Sequence, residues 1–254
     1  MLRVQREEGV QTSVDPKRES RRMTVTLVDS MGDDLIIVNA ARVSHAKKSD
    51  WDYTFSGTGP NNATKSLREA DKGLIGYLMR NRHGTPFEMV QFQFHISTFI
   101  GVAREWQRHR IGSFNEVSTR YVEMAPEFYH PPDRAVRSQI GKPGHYEMVQ
   151  MTSHEAEQTQ KIMEQAYKDA HRAYLELINH GVAKELARNV LPLGLSTEFY
   201  WSVNLRSVFN FLSLRTAPSA LYEIREEAYE VERWVNEIAP VALEAFRNNG
   251  RVAP

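Results

Sequence analysis

Residues 90–121 read VQFQFHISTFIGVAREWQRHRIGSFNEVSTRY, and three kinds of local structure follow one another within them. Val90, Phe92, Phe94 and Ile96 alternate with Gln91, Gln93, His95 and Ser97, the period-two pattern of a strand with one buried face. Thr98 is suited to cap the next helix, whose inward face would use Ile100, Ala103, Trp106 and Gln107. Arg104 and Arg108 lie four apart and share another face of that helix. The helix is expected to give out near Gly112, leaving Ser113 to Arg120 on a loop positioned by the strand and helix before it. From Arg104 to Tyr121 the segment carries four arginines, one histidine, two carboxylates and two serines. Guanidinium groups stay charged, have five donors and no acceptor, and present a rigid fork that matches carboxylate or phosphate oxygens. An exposed charged helix end would account for the arginines alone. The polar residues that continue past Gly112 favour a site for a phosphorylated ligand.

On either side of this segment, strands and helices alternate. Met1 to Arg22 is polar, mixed in charge and has little to bury, so residues 1–22 are expected to form a mobile extension. A short strand through Val25, Leu27 and Asp29 should end at Ser30-Met31-Gly32, and Leu35 to Val43 reads as a short helix packed through Ile36, Ala40 and Val43. Ser49 to Asn62, with Gly57, Gly59, Pro60 and two adjacent asparagines, reads as a surface loop. A helix is expected over Ala63–Arg80, closed off by Gly84 and Pro86. Beyond the central segment, His130-Pro131-Pro132 and Gly141-Lys142-Pro143-Gly144 bracket a connection, followed by a long helix over Tyr146–His180. A shorter helix over Val182–Val190 is stopped by Pro192, and Glu198–Asn204 is strand-like. Leu205–Arg215 is helical, with Arg206 and Asn210 on one face, and a last helical region spans Leu221–Phe246. No repeat or polar linker divides the chain, so 23–246 is read as a single domain and 247–254 as a short tail.

At 254 residues the chain is long enough to bury a substantial core, and 41% hydrophobic with 25% charged residues is ordinary for a globular protein. The formal net charge is zero, which argues against general nucleic-acid binding while leaving room for a local nucleotide site. The absence of cysteine removes disulfides, thiolate metal sites and every mechanism built on a cysteine nucleophile. No apolar stretch is long enough to span a bilayer and no secretory leader opens the sequence, so a cytoplasmic location and no membrane partner are the expectation.

Arg108, His109 and Arg110 are candidates for phosphates or the electron-rich edge of a ring, and Ser118 with Arg120 adds a second phosphate-facing donor pair. Arg188, Arg206 and Arg215, with Asn204 and Asn210, make a further set on or near helix ends. Taken singly these are ordinary surface residues; together they suggest a composite nucleotide site. His83, Thr85 and Glu88 superficially suggest an acid–base or metal cluster, but the histidines lack compact ligand spacing, and capping or hydrogen bonding is the simpler reading. Ser118 has no evident activating base and is read as a hydrogen-bond donor to substrate. A nucleic-acid module using the Arg104–Arg110 basic patch, with neighbouring aromatics stacking on bases, is the alternative. A metal-dependent nucleotide hydrolase ranks lower, because its candidate carboxylates are scattered.

Arg108-His109-Arg110, seven intervening residues and Ser118 resemble the signature of the flavin-dependent thymidylate synthases, the ThyX family. Asn115-Glu116 and Arg120-Tyr121 fit its extended pattern. Upstream His83-x-Thr85-Pro86-Phe87-Glu88 and downstream Asn204-Leu205-Arg206, Asn210 and Leu214-Arg215 fit in the same order. The resemblance covers about Met23 to Phe246, and Glu105 stands where the family often has glutamine beside this tryptophan. It implies an α/β (α+β) fold with a mixed β-sheet packed with helices, assembled as a homotetramer with sites between subunits. It implies conversion of dUMP to dTMP with FAD, NADPH and 5,10-methylenetetrahydrofolate. Residue by residue, it places Thr85, Arg108, His109, Arg110, Glu116, Asn204, Arg206 and Asn210 on FAD and His83 near the flavin and folate. It places Glu105, Arg108, Glu116, Ser118 and Arg120 in the dUMP pocket, Arg188 arriving from another subunit and Arg215 acting beside the uracil ring.

Overall fold

The apolar alternation over 90–96 is realised as the second strand of a four-stranded sheet whose remaining members come from distant parts of the chain. The computed structural model describes residues 23–55, 63–143 and 145–254, so the expected N-terminal extension and most of the glycine-rich part of the expected 49–62 loop lie outside the described residues. In chain order the first elements are β1 (Thr24–Met31), α1 (Asp34–Arg42), β2 (Asp52–Phe55), β3 (Ala63–Ser66) and α2 (Glu69–Arg80). Next come β4 (Gln91–Phe99), α3 (Ile100–Trp106), β5 (Ser113–Glu116), β6 (Arg137–Lys142), β7 (His145–Gln150) and α4 (Ser153–Asn179). The chain ends with α5 (Lys184–Ala187), β8 (Ser196–Asn204), α6 (Leu205–Arg215), α7 (Tyr222–Ile238) and α8 (Pro240–Asn248).

The main sheet runs β1-β4-β8-β5, and β2–β3 and β6–β7 are separate hairpins. Every pair in the main sheet is antiparallel, which corrects the expectation of a mixed sheet. The pairing decides where the helices leave. Phe99 at the end of β4 faces Ser196 at the start of β8, so α3 and α6, each continuing directly from its strand, depart from opposite ends of the sheet. Phe92, Phe94 and Ile96 of β4 and Phe199, Trp201 and Val203 of β8 are all at most 2% exposed. They share one core with Val208, Phe209, Phe211 and Leu212 of α6, Ile224, Ala228 and Val231 of α7, and Leu243 and Phe246 of α8.

Several boundaries differ from expectation for identifiable reasons. Asp52–Phe55 and Ala63–Ser66 pair as a hairpin, so the helix expected from Ala63 begins only at Glu69. Arg137–Lys142 and His145–Gln150 pair likewise, and the helix expected from Tyr146 starts at Ser153 behind a Thr152–Glu155 capping box. Thr98 stays in β4, and α3 begins without a side-chain cap. The last helical region is two helices, because Pro240 opens α8 and has no N–H to continue α7. Asp34 closes that junction by accepting from the backbone N–H of Val241 and Ala242, both at 2.9 Å. The residues beyond α8 return to the fold, where Arg251 pairs with Glu232 at 2.6 Å and the Pro254 carbonyl accepts from Arg206 Nε at 3.2 Å.

Candidate functional site

The site is built where α3 ends. Trp106, the last residue of α3, is fully buried, stacks on Phe211 at 4.3 Å and meets Trp201 edge-on at 4.9 Å. Its indole Nε1 donates at 2.5 Å to Glu227, a carboxyl of α7 that burial pushes up to about 7 against the lowering effect of that hydrogen bond. Because Trp106 is fixed from behind, its neighbours in sequence are fixed in front. The helix stops there instead of continuing toward Gly112, so Arg108 leaves the helical face that it was expected to share with Arg104. Gln107, expected on the inward face, is exposed and donates to Glu116 Oε2 at 2.9 Å.

The chain then turns sharply at Gly112. A Cβ at this position would lie 2.8 Å from Trp201 Nε1 and 3.1 Å from the Ser202 carbonyl, so only glycine lets the backbone come this close to β8. The residues expected as a loop, Ser113 to Glu116, therefore enter the sheet as edge strand β5, with Glu116 opposite Phe199. Glu116 also accepts from Thr197 Oγ1 at 2.6 Å. The remainder of the expected loop turns over Ser118, whose hydroxyl accepts from Arg120 Nε at 3.2 Å.

Arg215, in the last turn of α6, reaches back to α3. Its Nη1 donates to Glu105 Oε2 at 2.5 Å, its Nη2 to the Glu105 carbonyl at 3.1 Å, and its Nε to His109 Nε2 at 3.0 Å. His109 is 8% exposed, with its ring edge-on to Phe211 at 5.0 Å. Burial and then the Arg215 charge push its pKa down to about 4, against the pull of Glu105, so the imidazole is neutral at pH 7 and accepts the Arg215 proton donor. His109 is thus a neutral acceptor in this structure, whereas its sequence neighbours Arg108 and Arg110 are exposed and have no acidic partner among the described residues.

Arg188 is brought to the same region through the turn after α5. Its Nη1 donates to Thr119 Oγ1 at 3.0 Å within its own chain, and together with Arg104, Glu116 and Thr197 it lines a cleft of about 390 Å³. A second group gathers around the other end of α6. Asn204 caps that helix by accepting from Ser207 N at 2.9 Å, and Arg206 pairs with Glu88 at 2.6 Å against Gly84. His83 and Thr85 line a separate open groove of about 1540 Å³ walled by α1 and α2. Asn210, one turn after Arg206 on α6, is exposed. One chain therefore joins Glu105, His109 and Arg215 directly, places Glu116 beside Arg188, and leaves Asn204 and Arg206 at the far end of α6, about 15 Å from Arg215 at 1.5 Å per residue. Gln107, Thr119 and Thr197 were not singled out as site residues. Only the polar run past Gly112 signalled Thr119, and Thr197 becomes visible only through the β5–β8 pairing.

The family model of the thymidylate synthase complementing protein matches residues 26–241. A flavin-dependent thymidylate synthase of Thermus thermophilus is 44% identical over 225 residues, covering 89% of this chain and 76% of that protein. One of Streptomyces avermitilis is 41% identical over 255 residues, covering 96% and 99%. Among solved structures, a UMP/dUMP methylase, PolB, from Streptomyces cacaoi bound with 5-Br dUMP superposes with a TM-score of 0.79 at 38% identity, covering 92% of this chain and 98% of that one. With the RHR and Ser118 segment at the end of α3 and Arg215 folded back onto it, the chain belongs to the flavin-dependent thymidylate synthase family.

Proposed function

We propose that the protein carries out the reductive methylation of dUMP to dTMP. The carbon comes from 5,10-methylenetetrahydrofolate, the reducing equivalents from NADPH by way of FAD, and tetrahydrofolate is released. The observation that carries this reading is the Arg215 guanidinium, whose side chain is 16% exposed and held against the end of α3 between a carboxylate and a neutral imidazole. The chain has no cysteine to add to C6 of the uracil ring, and a flavin route in which ring polarisation makes C5 nucleophilic avoids that requirement. Arg215 supports this by stabilising the negative charge that grows on the ring as N3 loses proton character. Arg188 and Thr119 provide donors for the nucleotide phosphate at the neighbouring cleft, and Ser118 with Arg120 adds a second donor pair on the adjoining turn.

The residues also fit a flavin dinucleotide. Arg108 and Arg110 are exposed without acidic partners among the described residues, and they suit its phosphates. The groove beside His83 and Thr85 is wide and its walls are largely apolar, which suits a ring system. FAD, when bound, supplies the hydride chemistry that no side chain here can perform.

The functional unit in this reading is a homotetramer with sites shared between subunits, in which the Arg188 and the Arg215 that serve one nucleotide come from different protomers. Arg215→Ala should lower dTMP formation by on the order of 100- to 1000-fold while the flavin stays bound. Unchanged turnover would remove Arg215 from the mechanism. Mixing Arg188→Ala with Arg215→Ala protomers should recover part of the activity if the sites are shared. No recovery in verified mixed tetramers argues for sites within one chain.

A further inference from the structure

A guanidinium has five N–H groups. In Arg215 three of them are fixed by residues at the end of α3 and the turn after it, namely Nη1 and Nη2 by Glu105 and Nε by His109. One N–H on each Nη remains. Glu105 makes two of the three contacts, one through its side chain and one through its backbone carbonyl, so the contact persists only while α3 ends where it does. That end is anchored by Trp106 between Phe211 and the buried Glu227.

We propose that Glu105 and His109 are positioning residues for Arg215, fixing the plane of its guanidinium and, through the Glu105 carboxylate, cancelling its charge in the absence of nucleotide. The inference rests on the reading of Arg215 as the group beside the uracil ring, and it assigns to Glu105 and His109 a task other than touching nucleotide or flavin. An isolated cation at the edge of a cleft attracts any anion, including the phosphate of a wrongly oriented nucleotide. With the carboxylate 2.5 Å from Nη1, the pair has no net charge to offer, and a ligand is selected by its fit to the two remaining N–H groups. His109 contributes as a neutral acceptor that holds Nε and adds no second positive charge beside the first.

Orientation and charge can be separated by mutation. Glu105→Gln keeps an acceptor and removes the charge, whereas Glu105→Ala removes both. His109→Gln keeps an acceptor near the position of Nε2, and His109→Ala does not. In the flavin-loaded protein, Glu105→Gln should bind dUMP several-fold more tightly than wild type by calorimetry and keep more kcat than Glu105→Ala. The alanine variant should lose roughly 100-fold in kcat, the effect of a misplaced catalytic group. His109→Gln should recover much of the kcat lost in His109→Ala, and flavin content should be equal in the two Glu105 variants.

The proposal is overturned if Glu105→Gln binds no more tightly, if Glu105→Ala keeps wild-type kcat, if His109→Gln is no better than His109→Ala, or if Glu105→Ala loses flavin. A crystal structure of Glu105→Ala tests the positioning independently of activity. The guanidinium of Arg215 should move or occupy several positions, and an unmoved one refutes the clamp. A wild-type protein that neither binds dUMP nor forms dTMP would overturn the proposed function instead, and the crystallographic result would still decide the clamp.

Discussion

His109 illustrates how a residue's chemistry is decided by its surroundings. In the sequence it lies between two arginines and invites reading as one of three basic groups. In the fold it is 8% exposed, and burial followed by the neighbouring Arg215 charge lowers its pKa from 6.5 to about 4, with Glu105 pulling the other way. Its contribution to stability follows from linkage. Between pH 6.5 and pH 4 the unfolded chain binds a proton at this position that the folded chain does not, so the contribution is complete above pH 6.5 and is lost as pH falls toward 4. The loss is on the order of 1–3 kcal/mol. Urea denaturation at pH 7 and pH 5 should therefore show a steeper loss of stability in wild type than in His109→Gln, and equal pH dependence would refute the neutral buried imidazole. Glu105 and Arg215 were both legible as candidates, but their direct contact spans residues 105 and 215, and no spacing rule reaches that far.

At the scale of elements, the sequence was most readable where burial imposes a period. The strand over 90–96 and the helix over Leu205–Arg215 were expected and are present, because one face of each is packed into the core. The hairpin of β6 and β7 was missed. All of β7 and most of β6 are exposed, so no buried face imposes an alternation on the sequence. Edge strand β5 was missed for a related reason: it is four residues long and shows one partly buried residue, Phe114. Gly112 makes that strand possible by letting the backbone pass against Trp201 and Ser202. Gly112→Ala should destabilise the protein by about 1–3 kcal/mol through overpacking, read as a lower urea midpoint at unchanged slope. A midpoint equal to wild type would show that the contact relaxes freely.

For the whole molecule, the order of motifs along the chain was legible before any fold was known, because a site assembled from many segments leaves its residues in fixed sequence order. What remained hidden was how these segments meet. Helix α6 carries candidates at both ends, with Asn204 and Arg206 near Glu88 and Arg215 near Glu105, so a single helix ties together two halves of the candidate site that are remote in sequence. The antiparallel main sheet sets this arrangement by sending α3 and α6 from its opposite ends. In the proposed function this scaffold holds a reducible flavin and uses it on dUMP. The most direct measurement is the visible absorption spectrum of the purified protein, supplemented with FAD, before and after anaerobic NADPH, followed by dUMP and methylenetetrahydrofolate with detection of dTMP. The expected result is a flavin spectrum that bleaches with NADPH and a nucleotide product that appears only when both substrates are present. A folded protein that fails to bind added FAD, or whose reduced flavin yields no dTMP, would contradict it.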